Sequence, residues 1–136
     1  MTSVFDFSAA SLARLAREDV ARALAEDVGS GDLTAGLVDP TRRARARVLA
    51  REAAVICGAP WAAAAIRQLA LDARITWHVG EGQRSQVDQV VLEVEAPAQA
   101  ILTAERNASN FLQLLSAVAT KTAIYVEAVR GTRTQI

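Results

Sequence analysis

The feature that constrains this chain most is a single helical stretch, Ile101 to Ser116 (ILTAERNASNFLQLLS). Apolar residues recur at Ile101, Ala104, Ala108, Phe111, Leu112, Leu115, Val118 and Ala119, a wide stripe at helical spacing. A second line, Arg106, Asn110 and Gln113, follows at i, i+4 and i+7 and shares a face. A mostly buried helix therefore carries one ordered row of hydrogen-bonding groups, headed by a guanidinium. Arginine offers a planar fork of donors that matches a carboxylate through two parallel bonds. Two readings fit these residues. Arg106 grips an anion, or it pairs with Glu105 or another acid on a solvated face.

The elements before this helix follow from periodicity and turn chemistry. Ser8 or Ser11 caps a helix with Leu12, Leu15, Val20 and Leu24 inward and Arg14, Arg17, Glu18 and Asp19 outward. It runs whole or breaks near Arg17, and closes at Gly29. Between Arg42 and Arg51, Arg43, Arg45 and Arg47 alternate with Ala44, Ala46 and Val48, the period of a half-buried strand. Glu52 to Cys57 reads as a second, apolar strand, punctuated by Gly58 and Pro60. Trp61 to Leu71 predicts a helix packing Trp61, Ala65, Ile66 and Leu69. Ile75, Trp77 and Val79 predict another strand, and Gly80-Glu81-Gly82 a turn.

Val87 to Glu95 alternates again, with Val90, Leu92 and Val94 on one face and Val91, Glu93 and Glu95 on the other, and Pro97 ends it. The long helix continues, with or without a restart near Ser116, to Val129, and Gly131 closes it. Thr132 to Ile136 reads as the first residues of another strand. The expected fold is α+β: an open antiparallel sheet with helices on one face. The edges of such a sheet need partners.

Composition narrows the function classes. At 136 residues and 51% apolar, the chain is long enough for one domain with a real core. Fifteen basic residues cancel fifteen acidic ones, which gives no general pull toward nucleic acid or an anionic membrane. Aromatics are 4%, too few to favour base-stacking surfaces. The five arginines from Arg42 to Arg51 therefore read as a solvated strand face rather than a phosphate patch. One cysteine, Cys57, excludes an internal disulfide and reads as a small buried hydrophobe. The one histidine, His78, reads as a strand-surface residue. Asp27 and Asp32 are candidate metal ligands, but such aspartates more often cap turns. The N-terminus lacks a charged start followed by an apolar run, and no run approaches the ~20 apolar residues that span a bilayer. A cytoplasmic location is expected.

Several blocks together resemble the quinolinate phosphoribosyltransferases (nicotinate-nucleotide pyrophosphorylase, carboxylating). Glu26-Asp27-Val28-Gly29-Ser30-Gly31-Asp32-Leu33-Thr34 is similar to the family's opening signature. Arg51-Glu52 with Val55 and Gly58 resembles the next block. Ile101 to Arg106, Asn110 to Gln113, Leu115-Ser116 and Ala119-Thr120 resemble the strongest one, and Tyr125-Val126, Ala128-Val129 and Gly131-Thr132-Arg133 continue in register. Asn107, Ser109, Ala117 and Ala96 depart from the residues usual at their positions.

The resemblance implies a two-domain enzyme. Residues 1–130 would be its N-terminal α+β domain, and 131–136 the start of an α/β barrel domain absent from this chain. The implied reaction transfers phosphoribosyl from phosphoribosyl pyrophosphate to quinolinate with decarboxylation. It yields nicotinate mononucleotide, pyrophosphate and CO2 for NAD biosynthesis. The implied role of Arg106 is to bind a quinolinate carboxylate in the neighbouring subunit's site, in a head-to-tail homodimer. The acids that hold Mg2+ would lie outside this chain, which alone is expected to be inactive. Two alternatives stand beside this: a short non-catalytic dimerisation or interaction module, and a pyrophosphorylase-like paralogue with another substrate.

Overall fold

The computed structural model describes residues 6–29 and 31–136. Helix α1 (Ala9–Val28) is followed by a 3-10 turn (Ala35–Leu37), strand β1 (Arg43–Ala50), helix α2 (Ala59–Leu69), strands β2 (Arg74–Trp77) and β3 (Gln89–Pro97), and helix α3 (Ala98–Ala128). The fold is α+β, as expected. An open antiparallel sheet of order β1-β3-β2 carries the helices on one face.

Ser8 caps α1, its side chain accepting from the Ser11 amide, and Gly29 closes it at φ +52°. The helix is unbroken at Arg17. Its buried line is Ala16, Val20 and Leu24, at i, i+4 and i+8. Leu15 lies about 100° round the helix from Ala16 and is 45% exposed, against the expectation that it points inward. Trp61 of α2 ties the two helices together by donating to Asp19 Oδ2 at 3.0 Å. On α2, Ala62, Ala65 and Ile66 are buried, whereas Leu69, at the helix's last position, is partly exposed rather than packed.

The arginine alternation of β1 is borne out. Its exposed row pairs with acids across the sheet: Arg45 and Arg47 with Glu93, and Arg43 with Asp72, two residues before β2. His78 is exposed on the same face, its Nε2 4.0 Å from Glu93 Oε1. The Arg45 hydrogen bond, with the charges of Arg45, Arg47 and His78, holds the Glu93 carboxyl below its ordinary range. Exposed pairs of this kind add little to stability, because water screens them.

The strict alternation expected for β3 fails at one residue. Val48 pairs with Leu92 but Leu49 with Val90, so Val91 bulges out of register. Val91 and Leu92 are consequently both buried. The strand also begins at Gln89, leaving Val87 exposed.

Glu52 to Cys57 is not a strand; Val55 makes a lone bridge to Arg84. Backbone bonds to residues 82–85, such as Ile56 N–H to the Gln83 carbonyl at 2.9 Å, share the ladder's work with side-chain hydroxyls. The Ala54 amide donates to Ser85 Oγ at 3.2 Å, Val55 to Thr120 Oγ1 at 2.8 Å and Cys57 to Ser116 Oγ at 3.0 Å.

Helix α3 starts three residues earlier than its apolar stripe and runs to Ala128 with no restart at Ser116. Ala104, Ala108 and Leu112 enter the core beside Leu92 and Val94. Further along, the helix outruns its covering layer, and Val118 is 65% exposed rather than buried. Residues 132–136 form no strand. A strand needs a hydrogen-bonding neighbour, and the described residues offer this segment none.

Candidate substrate-anchoring site

Arg106 sits on the solvent side of the first half of α3, its side chain 74% exposed. Asn110 and Gln113 are exposed as well, so the predicted polar row faces outward. The partner of Arg106 is not Glu105, since adjacent helical residues do not face each other. It is Asp27, at the end of α1. Asp27 Oδ1 accepts from Arg106 Nη1 at 2.8 Å, and Oδ2 from Asn107 Nδ2 at 3.2 Å.

The signature loop is thereby tied to α3 at two points. Asp32 Oδ1 accepts from the Thr34 and Ala35 amides, both at 3.0 Å, and caps the 3-10 turn. Its Oδ2 accepts from Thr103 Oγ1 at 2.8 Å. The Ala35 amide, the Thr103 hydroxyl, the Thr34 amide and the nearby Arg106 charge together hold the Asp32 carboxyl below its ordinary range. So Asp32 caps a turn, as expected of such aspartates, whereas Asp27 serves an ion pair. No three carboxylate, histidine or cysteine side chains converge on a metal-sized space among the described residues. Ser30, in the same signature, lies outside the described residues.

Sequence reasoning missed the row that makes these contacts. Thr103, Arg106 and Asn107, at i, i+3 and i+4, face the loop, and the five-residue spacing of Asp27 and Asp32 brings one carboxylate to each end. That complementarity was the available signal. Asn107, a departure from the family pattern, is buried by its contact with Asp27. Ala96 is also buried, paired with Ala44, while Ser109 is half-buried and Ala117 exposed.

The arrangement presents a cation with donors to spare. Among the described residues only Nη1 of Arg106 is engaged, which leaves the Nε/Nη2 edge able to take a carboxylate side-on. A separate concavity lies elsewhere. An open groove of about 1130 Å3 follows the C-terminal half of α3, with Cys57, Leu115 and Val118 among its walls, and has no part in the Arg106 cluster.

Residues 32–116 match the family described as quinolinate phosphoribosyl transferase, N-terminal domain. That span holds Asp32, Thr103, Arg106 and Asn107. The chain belongs to this family. It is 36% identical over 125 residues to the nicotinate-nucleotide pyrophosphorylase [carboxylating] of Mycobacterium leprae, covering 89% of this chain and 44% of that protein. With a probable pyrophosphorylase of the same name from Synechocystis it shares 37% identity over 106 residues, 78% of this chain and 36% of the relative. The structure of the nicotinate-nucleotide pyrophosphorylase from Francisella tularensis superposes with a TM-score of 0.85 at 32% identity, covering 90% of this chain and 44% of that one. NadC from Streptococcus pyogenes gives a TM-score of 0.82 at 30% identity, with 92% and 44% covered. The chain thus spans under half the length of these relatives, and what it matches is the family's N-terminal domain.

Proposed function

We propose that this chain is the N-terminal domain of a nicotinate-nucleotide pyrophosphorylase (carboxylating), a pentosyltransferase of NAD biosynthesis. The complete enzyme transfers phosphoribosyl from phosphoribosyl pyrophosphate to quinolinate and releases pyrophosphate and CO2. In this reading Arg106 binds a quinolinate carboxylate in the neighbouring subunit's site, within a cytoplasmic head-to-tail homodimer. The observation that carries it is an exposed arginine on the family's own helix with its Nε/Nη2 edge unpartnered among the described residues. A bidentate carboxylate is the ligand that such an edge fits. Residues 131–136 lead toward a barrel domain that supplies the remaining cations. In the same reading Mg2+ is held by acids of that barrel domain. No helix among them is long and apolar enough to cross a membrane.

The test is substitution in the complete enzyme. Arg106→Ala is expected to weaken quinolinate binding by on the order of 2–5 kcal/mol, the range for removing one partner of a shielded charge pair. The 136-residue chain by itself is expected to show no turnover, because one arginine cannot supply a whole site for a dicarboxylate and a pyrophosphate. An unchanged quinolinate KM and kcat in the variant, or turnover by the isolated chain, would refute the reading.

A further inference from the structure

An exposed arginine is a poor anchor unless something orders it, because its long side chain has many rotamers to lose on binding. Asp27 touches Arg106, and Asn107 in turn touches Asp27. Asp27 projects from the last turn of α1, so its backbone is fixed by a helix. Its side chain keeps only 22% of its surface exposed, against 74% for Arg106. Its two oxygens are divided: Oδ1 takes Arg106 Nη1 at 2.8 Å and Oδ2 takes Asn107 Nδ2 at 3.2 Å. Asn107 is itself buried, at 7% exposure. The better-shielded pair thus holds the exposed guanidinium.

We propose that Asp27 and Asn107 are positioning residues for Arg106. The Asn107 amide fixes the rotation of the Asp27 carboxylate. That carboxylate holds Nη1 end-on and turns the Nε/Nη2 edge outward to receive a substrate carboxylate. The inference rests on the substrate role proposed for Arg106. It also gives the departure at Asn107 a function, since an apolar small or β-branched side chain there would leave Oδ2 without a donor. The rival role for Asp27, a carboxylate that substrate must displace, fits the geometry less well. Only one of the three guanidinium nitrogens is occupied, so binding on the free edge leaves the ion pair intact.

The experiment uses the complete enzyme that carries this domain. Asp27→Ala is expected to raise the quinolinate KM about fivefold, while the KM for phosphoribosyl pyrophosphate stays within about twofold. Asp27→Asn retains an acceptor oxygen and should recover most of the loss. Asn107→Val should raise the quinolinate KM about twofold, and it carries the test if Asp27→Ala does not fold. In an Arg106→Ala background, Asp27→Ala should add less than about twofold, because both changes remove the same ordered group. An unchanged or lowered quinolinate KM in Asp27→Ala or in Asn107→Val, an equal rise for both substrates, or full additivity with Arg106→Ala would overturn the proposal. If Arg106→Ala alone leaves the quinolinate KM unchanged, the substrate role of Arg106 falls. If Arg106→Ala is impaired and Asp27→Ala is silent, only the positioning role does.

Discussion

Ser116 Oγ makes a two-way bridge to the backbone of Cys57, accepting from its amide at 3.0 Å and donating to its carbonyl at 3.1 Å. The segment before Gly58 borders the sheet without joining it. Ser116, together with Thr120 and Ser85, supplies hydrogen bonds that supplement the segment's backbone bonds to Gly82, Gln83 and Ser85. Ser116 is buried, so water cannot easily replace it. Ser116→Ala leaves an amide and a carbonyl unpaired and is expected to cost about 1–3 kcal/mol. Urea unfolding of the two proteins checks this; an unchanged midpoint and slope would show that water fills the gap.

Gly58 is the hinge between that segment and α2. It sits at φ +103°, and an added Cβ would lie 3.1 Å from the Phe111 carbonyl oxygen and 3.1 Å from Leu115 Cδ1. The backbone strain and the close approach to α3 act together. Gly58→Ala is expected to lower stability by at least about 1–3 kcal/mol. Gly82, also at positive φ but with nothing near its missing Cβ, is the control: Gly82→Ala bears the backbone strain alone and should cost less. Equal losses in melting temperature for the two variants would mean that contact with α3 contributes nothing.

Which of these features the sequence announces depends on how local their cause is. The exposed arginines of β1 were legible because strand alternation is carried by neighbouring residues. The bulge at Val91 was not, because it is a mismatch between β1 and β3 and exists only once they pair. Glu52 to Cys57 looked like a strand because it is apolar, yet its backbone is satisfied partly by backbone bonds to Gly82, Gln83 and Ser85 and partly by hydroxyls more than 30 residues away at Ser85, Ser116 and Thr120. The candidate site divides in the same way. Arg106 stood out on its helix, while Asp27, its partner, is 79 residues distant and was read as a turn cap or a metal ligand. Only the packing of α1 and its loop against α3 reveals the pair.

The pH response of the loop follows from Asp32. Its carboxyl is held below the ordinary value of 3.8, chiefly by the Ala35 amide and then by the Thr103 hydroxyl. A folded-state pKa below the unfolded one means that the folded protein favours the ionised form. The stabilisation is therefore fully present above about pH 4 and is lost as pH falls through the lower folded-state value. The melting-temperature gap between the native protein and Asp32→Asn should be constant from about pH 5 to pH 7 and narrow in more acid solution. A gap that stays the same throughout the acid range would mean that the charge of Asp32 contributes nothing.

Cys57 tests the electrostatics at the other end of α3. Burial, then the hydrogen bond and charge of Glu81, push its thiol from 9.0 up to about 11. Glu81 is fixed beside it because its carboxylate accepts from the Gly58 amide at 3.0 Å and the Ala59 amide at 2.8 Å, at the N-terminus of α2. The thiolate is the reactive form, so at mildly alkaline pH its population should be about a hundredfold below that of an unperturbed thiol. Labelling by a thiol reagent should be correspondingly slow in the folded protein and fast in urea. Glu81→Gln removes the charge and keeps a hydrogen-bonding oxygen, so labelling should accelerate. It should still trail the unfolded rate, because burial is the larger cause. Native-state labelling as fast as in urea would show that the thiol is neither shielded nor held neutral. An unaltered rate in Glu81→Gln would assign the whole effect to burial and leave the carboxylate with its capping role alone.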